Sequence, residues 1–283
     1  METIEKVSVH GGHSGQFCSH ATDSLEDIVK SYIAGGFSWV GITEHAPPIN
    51  DALRYADQAE AGLTSAFLLE QFGSYMRECR RLQQKYQPRI DLYAALEIET
   101  YSGYEEFVPF LVERFEPDYI VGSVHFVHDI NFDYSPAIYA QAVQKAGGIE
   151  ALYLNYFDLQ FEMIERLQPE VVGHFDLIRI FDPDYHDRLV QPQVVAKMRR
   201  NLELIRELGL ILDFNLRALH KGAPEPYVSQ SILEMVREYG IAVVPGDDSH
   251  GLATVGNFFE QGVEILKAQG IPTAWVRPGA RDK

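Results

Sequence analysis

Ten histidines are spread through the 283 residues, and five of them stand at the downstream end of an apolar, β-forming run: His10, His45, His125, His174 and His250. A sixth such run leads into Glu97. His13 and His20 follow closely on His10, and Asp248 precedes His250 in the segment Asp247-Asp248-Ser249-His250. Neutral imidazole and carboxylate are the ordinary protein ligands of divalent zinc, iron and manganese. A set of this size could therefore hold more than one ion, with Glu97 bridging two. Two metals a few Å apart activate water and stabilise both the entering and the leaving oxygen of a phosphate ester. Each segment also has a plainer reading. A lone strand-end histidine is commonly a hydrogen-bonded structural group, Glu97 could form a salt bridge, and Asp247–His250 could be a turn opening a helix. Recurrence decides for a metal site, because scattered structural histidines would not keep to one edge. His128, His186 and His220 lie away from strand ends or among charges and read as solvated side chains.

The elements that must position these groups alternate along the chain. Strands are expected at Lys6–Val9, Phe37–Thr43, Ile90–Leu96, Asp118–Val124, Glu170–Gly173, Leu210–Phe214 and Ile241–Pro245. Between them, helical periodicity covers Ser24–Gly35, Ala66–Gln87, Tyr104–Phe115, Ile149–Leu167, Gln191–Leu208, Ser229–Tyr239 and Asn257–Gln269. Gly209 and Gly240 end two of the helices just before a strand, as left-handed caps do. Such alternation implies a parallel sheet with crossover helices. Seven units without a break in composition favour a TIM-like α/β barrel, one domain over residues 1–283, above an open doubly wound sheet. In a parallel barrel the loops after the strands share one rim, so side chains leaving different strands converge there. The stretch Ala46–Ser65 reads as a long loop, a candidate lid.

Composition narrows the function further. No run of about 18 apolar residues appears, which excludes a membrane-spanning helix, and the N-terminus lacks the pattern of a secretory signal. Two cysteines, Cys18 and Cys79, offer no disulfide framework. A cytoplasmic protein is the expectation. Lys plus Arg number 24 against 41 Asp plus Glu, a formal net charge of −17. A field of that sign repels nucleic acid, but a small phosphorylated substrate is acceptable where metal cations supply positive charge locally. Arg217 follows the Leu210–Phe214 strand and suits bidentate phosphate contact, with Arg179 and Lys221 as further candidates. The sequence assigns no oligomeric state.

The order His10-x-x-His13, Cys18-Ser-His20, Thr43-Glu-His45, Leu96-Glu97, Gly122-Ser-Val-His125, Gly173-His174-Phe-Asp176 and Asp248-Ser-His250 resembles the PHP superfamily. More narrowly, it is similar to the histidinol-phosphate phosphatases of that superfamily, over about residues 7–255. The resemblance implies a distorted (β/α)7 barrel, two to three divalent metals (zinc, iron or manganese), and phosphate-ester hydrolysis without a covalent enzyme intermediate. Carried over by position, one metal would take His10, His13, Glu97 and Asp248. A second would share Glu97 with His125 and His174, and a third would take His20, His45 and His250. Glu97, Asp248 and His250 would be the residues closest to the chemistry. The family begins with His-x-His, whereas this chain has one residue more between its first two histidines. Regular alternation would face the pair apart, so a glycine-supported bulge at Gly11-Gly12 is expected to restore a shared face. Competing readings are a phosphatase for another small ester, an amide or ring hydrolase, an exonuclease and a regulatory metal-holding domain. A serine hydrolase lacks its Gly-x-Ser-x-Gly elbow.

Overall fold

The structure, a computed structural model, describes residues 4–279. Seven parallel strands form one sheet in chain order: β1 (Lys6–Ser8), β2 (Phe37–His45), β3 (Asp91–Ile98), β4 (Ile120–Gly122), β7 (Val171–Val172), β8 (Ile211–Asn215) and β9 (Val243–Gly246). Sequential parallel order with crossover helices is the path of a barrel. The two edge strands meet through backbone bonds just past β1: Val9 N donates to Pro245 O at 2.9 Å, and Asp248 N to His10 O at 2.9 Å. The sheet is thus nearly closed, and the last strand is brought beside the first.

Helices α1 (Leu25–Ala34), α3 (Ser65–Tyr86), α4 (Tyr104–Phe115), α6 (Ile149–Leu167), α8 (Pro192–Leu208), α10 (Gln230–Tyr239) and α11 (Phe259–Ala268) return the chain between strands or follow the last. Each buries one apolar face. In α8 that face is Val194, Met198, Leu202 and Ile205, spaced by three or four residues. Ser24 and Thr64 cap α1 and α3, accepting from Asp27 N and Phe67 N.

Strand ends differ from expectation in a way that matters for the site. Strands β2 and β3 run two residues further than their apolar runs, so His45 and Glu97 lie inside the ladder as register partners. The fourth strand is shorter because Asp118 does not extend it. Its carboxylate accepts from Ala94 N at 2.7 Å and pairs with Arg80 at 2.6 Å. After β4 the chain also makes an unanticipated excursion, a β5–β6 hairpin (Phe126–Val127, Ile130–Asn131) and helix α5 (Pro136–Ala146). Ser135 caps α5 and proline occupies its first turn. Shorter helices α2 (Ala56–Glu60), α7 (Tyr185–Leu189) and α9 (Arg217–His220) complete the chain, with α2 inside the segment expected as a loop. Among the described residues no helix is long and apolar enough to cross a membrane.

Candidate metal centre

Glu97, buried near the end of β3, is the hub of the rim. Its Oε2 lies 3.2 Å from His10 Nε2, 3.2 Å from His45 Nδ1 and 3.8 Å from His13 Nε2. Its Oε1 lies 2.9 Å from His174 Nε2 and 3.3 Å from His125 Nε2, and accepts from Ser123 Oγ at 2.7 Å. Asp248 approaches from the β9 side, with Oδ1 3.3 Å from His13 Nε2. Burying one carboxylate among five imidazoles is costly unless charge compensates it. In the metal-free protein the imidazoles do so. Burial opposes ionisation of Glu97, but His10, His45 and His125 outweigh it and hold the carboxyl well below its usual range.

His20, His45 and His250 form a second cluster at the solvent edge, with ligand atoms within 4.8 Å of one another. Burial and the neighbouring His45 and His13 lower the pKa of His20 to about 3, so it enters as neutral imidazole. The donor spacing answers whether metals fit. Two imidazole nitrogens on one tetrahedral zinc, at about 2.0–2.1 Å each, stand about 3.3 Å apart. His20 Nε2 and His45 Nε2 are separated by 3.3 Å, and His125 Nε2 and His174 Nε2 by 3.2 Å. His10 Nε2 and both ring nitrogens of His13 are buried without a hydrogen-bond partner. These donors fit divalent metals, and the sequence-expected set His10, His13, His20, His45, Glu97, His125, His174, Asp248 and His250 lies around one rim.

Three carboxylates that the sequence reading passed over set the imidazoles. Asp213, inside β8, lies 2.8 Å from His10 Nδ1. Glu99, two residues beyond Glu97 and so on the same face, lies 3.0 Å from His45 Nδ1 and 2.7 Å from His125 Nδ1, and accepts from Tyr55. Glu44 takes the backbone N and Oγ of Ser14 at 2.8 and 2.9 Å and lies 3.7 Å from His13 Nδ1. A carboxylate on one ring nitrogen fixes the tautomer that leaves the other free to ligate. Burial would depress the pKa of His13, yet the neighbouring carboxylates of Asp248 and Glu44 raise it to about 9 in the metal-free state. Glu99 is drawn to about 2 against its burial by His125 and His45.

His10 and His13 do converge, though not by the expected device. The chain leaves the ladder after Ser8, so no paired bulge forms at Gly11-Gly12, and neither glycine has positive φ. Close approach is what demands glycine here. A Cβ on Gly11 would lie 2.2 Å from Gly41 O, and one on Gly12 would lie 2.8 Å from Ile28 Cγ2.

A pocket of about 250 Å³ opens onto the cluster, lined among others by Tyr55, Asp133, Arg217, Lys221 and Tyr227. Two Arg217 side-chain nitrogens, Nε and Nη1, are buried and unpartnered. Arg179 corrects the sequence expectation and is not among the pocket-lining residues. Its Nε donates to Asp176 at 2.9 Å, its Nη2 donates to the carbonyls of Glu225 and Pro226, and its guanidinium lies over the rings of Tyr185 and Tyr227. The candidate lid is anchored through Tyr55, whose ring also stacks on Phe126.

A near-closed parallel barrel carrying this histidine–carboxylate rim is the arrangement of a PHP domain, and the family model of that name matches residues 11–217. The chain belongs to the histidinol-phosphatase family within it. The probable histidinol-phosphatase of Schizosaccharomyces pombe is 35% identical over 94% of this chain and 87% of its own. The histidinol-phosphatase of Saccharomyces cerevisiae is 27% identical over 89% and 85%. A candidate histidinol phosphatase from Listeria monocytogenes superposes with a TM-score of 0.80 at 26% identity, over 90% of this chain and 99% of its own. The histidinol phosphate phosphatase of Lactococcus lactis, solved with zinc, L-histidinol and phosphate, shares the fold at a TM-score of 0.74 and 17% identity, over 95% of each chain.

Proposed function

We propose that residues 1–283 form one catalytic domain that hydrolyses L-histidinol phosphate to L-histidinol and phosphate, using two to three divalent metals of the zinc, iron or manganese type. The observation that carries this reading is a single buried carboxylate, Glu97, with four imidazole nitrogens within 3.3 Å. When bound, the metals would supply Lewis-acid stabilisation of the phosphoryl charge and a water activated for attack. The ligand sets are those of the family pattern: His10, His13, Glu97 and Asp248; Glu97, His125 and His174; His20, His45 and His250.

The chain's own groups do the rest. Arg217 and Lys221, on the pocket wall, grip the phosphate, the arginine through its unpartnered nitrogens. Asp133, on the same wall, offers a carboxylate to a cationic head, as the ammonium of histidinol phosphate would require. Tyr55, held by Glu99, walls the pocket from the side of the 46–65 segment. The test is phosphate release from histidinol phosphate and from glycerol phosphate, with metal content measured on the same sample. A clear kcat/KM preference for histidinol phosphate, abolished by a strong chelator, is expected. Equal rates would remove the substrate assignment and leave a metal phosphoesterase. Full activity with less than one metal per chain would remove the metal reading itself.

A further inference from the structure

Cys18 is a free cysteine that the proposed ligand sets leave unused. It sits in a tight turn, where Cys18 N donates to Ser14 O at 2.8 Å and Ala21 N donates to Cys18 O at 3.3 Å. The turn brings Cys18 Sγ to 3.2 Å from His20 Nε2. That same nitrogen is 3.3 Å from His45 Nε2. A hydrogen bond from the thiol would use the only lone pair on His20 Nε2 and leave His45 Nε2 facing it unsatisfied. One cation between the three atoms would satisfy all of them. With zinc–sulfur near 2.3 Å and zinc–nitrogen near 2.0–2.1 Å, sulfur and nitrogen on one tetrahedral ion stand about 3.5 Å apart, close to the separation observed.

A second observation points the same way. His13, fully buried and with neither ring nitrogen hydrogen-bonded, has a ligand atom within 4.8 Å of both Cys18 Sγ and a His45 nitrogen. Position then decides the role. His20, His45 and His250 line the pocket of about 250 Å³, whereas Cys18 with His20, Glu44 and His45 lines a separate small cavity of about 30 Å³. The thiol therefore lies behind the outer histidines, away from where substrate enters.

We propose that Cys18 is a further ligand of the outer metal, closing the His20–His45–His250 set from behind as its fourth ligand. The proposal rests on the metal reading above. On binding, the S–H bond is exchanged for a sulfur–metal bond and the proton passes to solvent. A soft thiolate among imidazoles makes this position select zinc over manganese.

Cobalt(II) is the direct probe, because a cobalt–thiolate bond adds a near-ultraviolet charge-transfer band that imidazole and carboxylate ligands do not give. The cobalt-loaded full chain should show the band, Cys18→Ser should lose it, and Cys79→Ser, altering the buried core cysteine, should keep it. Cobalt bound with visible bands but no charge-transfer band, or a band surviving Cys18→Ser, overturns the proposal and leaves the metal centre standing. No cobalt bound at all overturns both. Should the serine variant fail to fold, the unmodified chain still gives an answer. Zinc should slow alkylation of Cys18 by iodoacetamide about ten-fold or more relative to chelator-treated protein, and equal rates would refute the ligation.

Discussion

Glu99 is where the geometry makes its sharpest demand. Its two oxygens face different imidazoles, Oε1 at 3.0 Å from His45 Nδ1 and Oε2 at 2.7 Å from His125 Nδ1. Each ring must carry its proton on Nδ1 for Nε2 to be free, and only an ionised carboxylate accepts from both. Glu99→Gln keeps the shape but has one accepting oxygen. Its NH2 then faces an Nδ1–H, two donors at about 3 Å. That imidazole escapes by moving its proton to Nε2, which removes it as a ligand.

The magnitude follows from counting rings. Loss of one such orienting partner costs about 10- to 100-fold in metal affinity or activity, about 1.4–2.7 kcal/mol. The glutamine variant disturbs one ring and should lose a single factor of that size. Glu99→Ala frees both rings and should lose more, about 10²- to 10⁴-fold if the two act independently. The assay is kcat/KM on histidinol phosphate alongside metal content by elemental analysis, for parent and both variants. A glutamine variant within about three-fold of the parent with full metal content would refute the tautomer argument. So would equal losses for glutamine and alanine.

Three further outcomes are expected. In the metal-free protein His13 titrates near 9, and burial of His10 and His125 is outweighed by Glu97, Asp213 and Glu99 so that both also titrate above the usual imidazole range. These rings are protonated at neutral pH, metal must displace those protons, and affinity should rise from pH 6 towards 9. Zinc titration calorimetry in two buffers of different ionisation enthalpy measures this, and zero proton release at pH 7 contradicts it. Arg217→Ala should weaken kcat/KM by about 10- to 100-fold, the range for one lost hydrogen bond to a charged group. The loss falls on KM if the grip is equal in ground and transition states, and on kcat if it tightens as charge develops. Arg179→Ala should destabilise by about 3–5 kcal/mol, as removing one partner of a buried ion pair does. The fraction that stays folded should keep kcat/KM, and a selective kinetic loss without a drop in Tm would return Arg179 to the substrate site.

The parts of this molecule that were legible in the sequence obey local rules. A histidine placed after an apolar run is sent to the barrel rim by strand direction alone, so residue type and position identify His45, Glu97, His125 and His174 without knowledge of their neighbours. Glu99 had a local signal too, because a residue two past Glu97 shares its face. It passed unnoticed because the apolar run had already ended. Arg179 failed for the opposite reason. Its place after the Gly173-His174 segment suggested the rim, but the three-residue turn that follows puts it onto Asp176, and a chain reversal draws in the carbonyls of Glu225 and Pro226. Asp213 could not be read at all. An acid between Leu212 and Phe214 gives no hint of its partner, and His10 is 203 positions away. That pairing exists only because β8 lies next to β9, whose end hydrogen-bonds to the residues leaving β1. Spacing therefore collects candidate metal donors on one rim. Which nitrogen of each donor is free depends on carboxylates supplied across the closed sheet, and closure has no signature within any one segment.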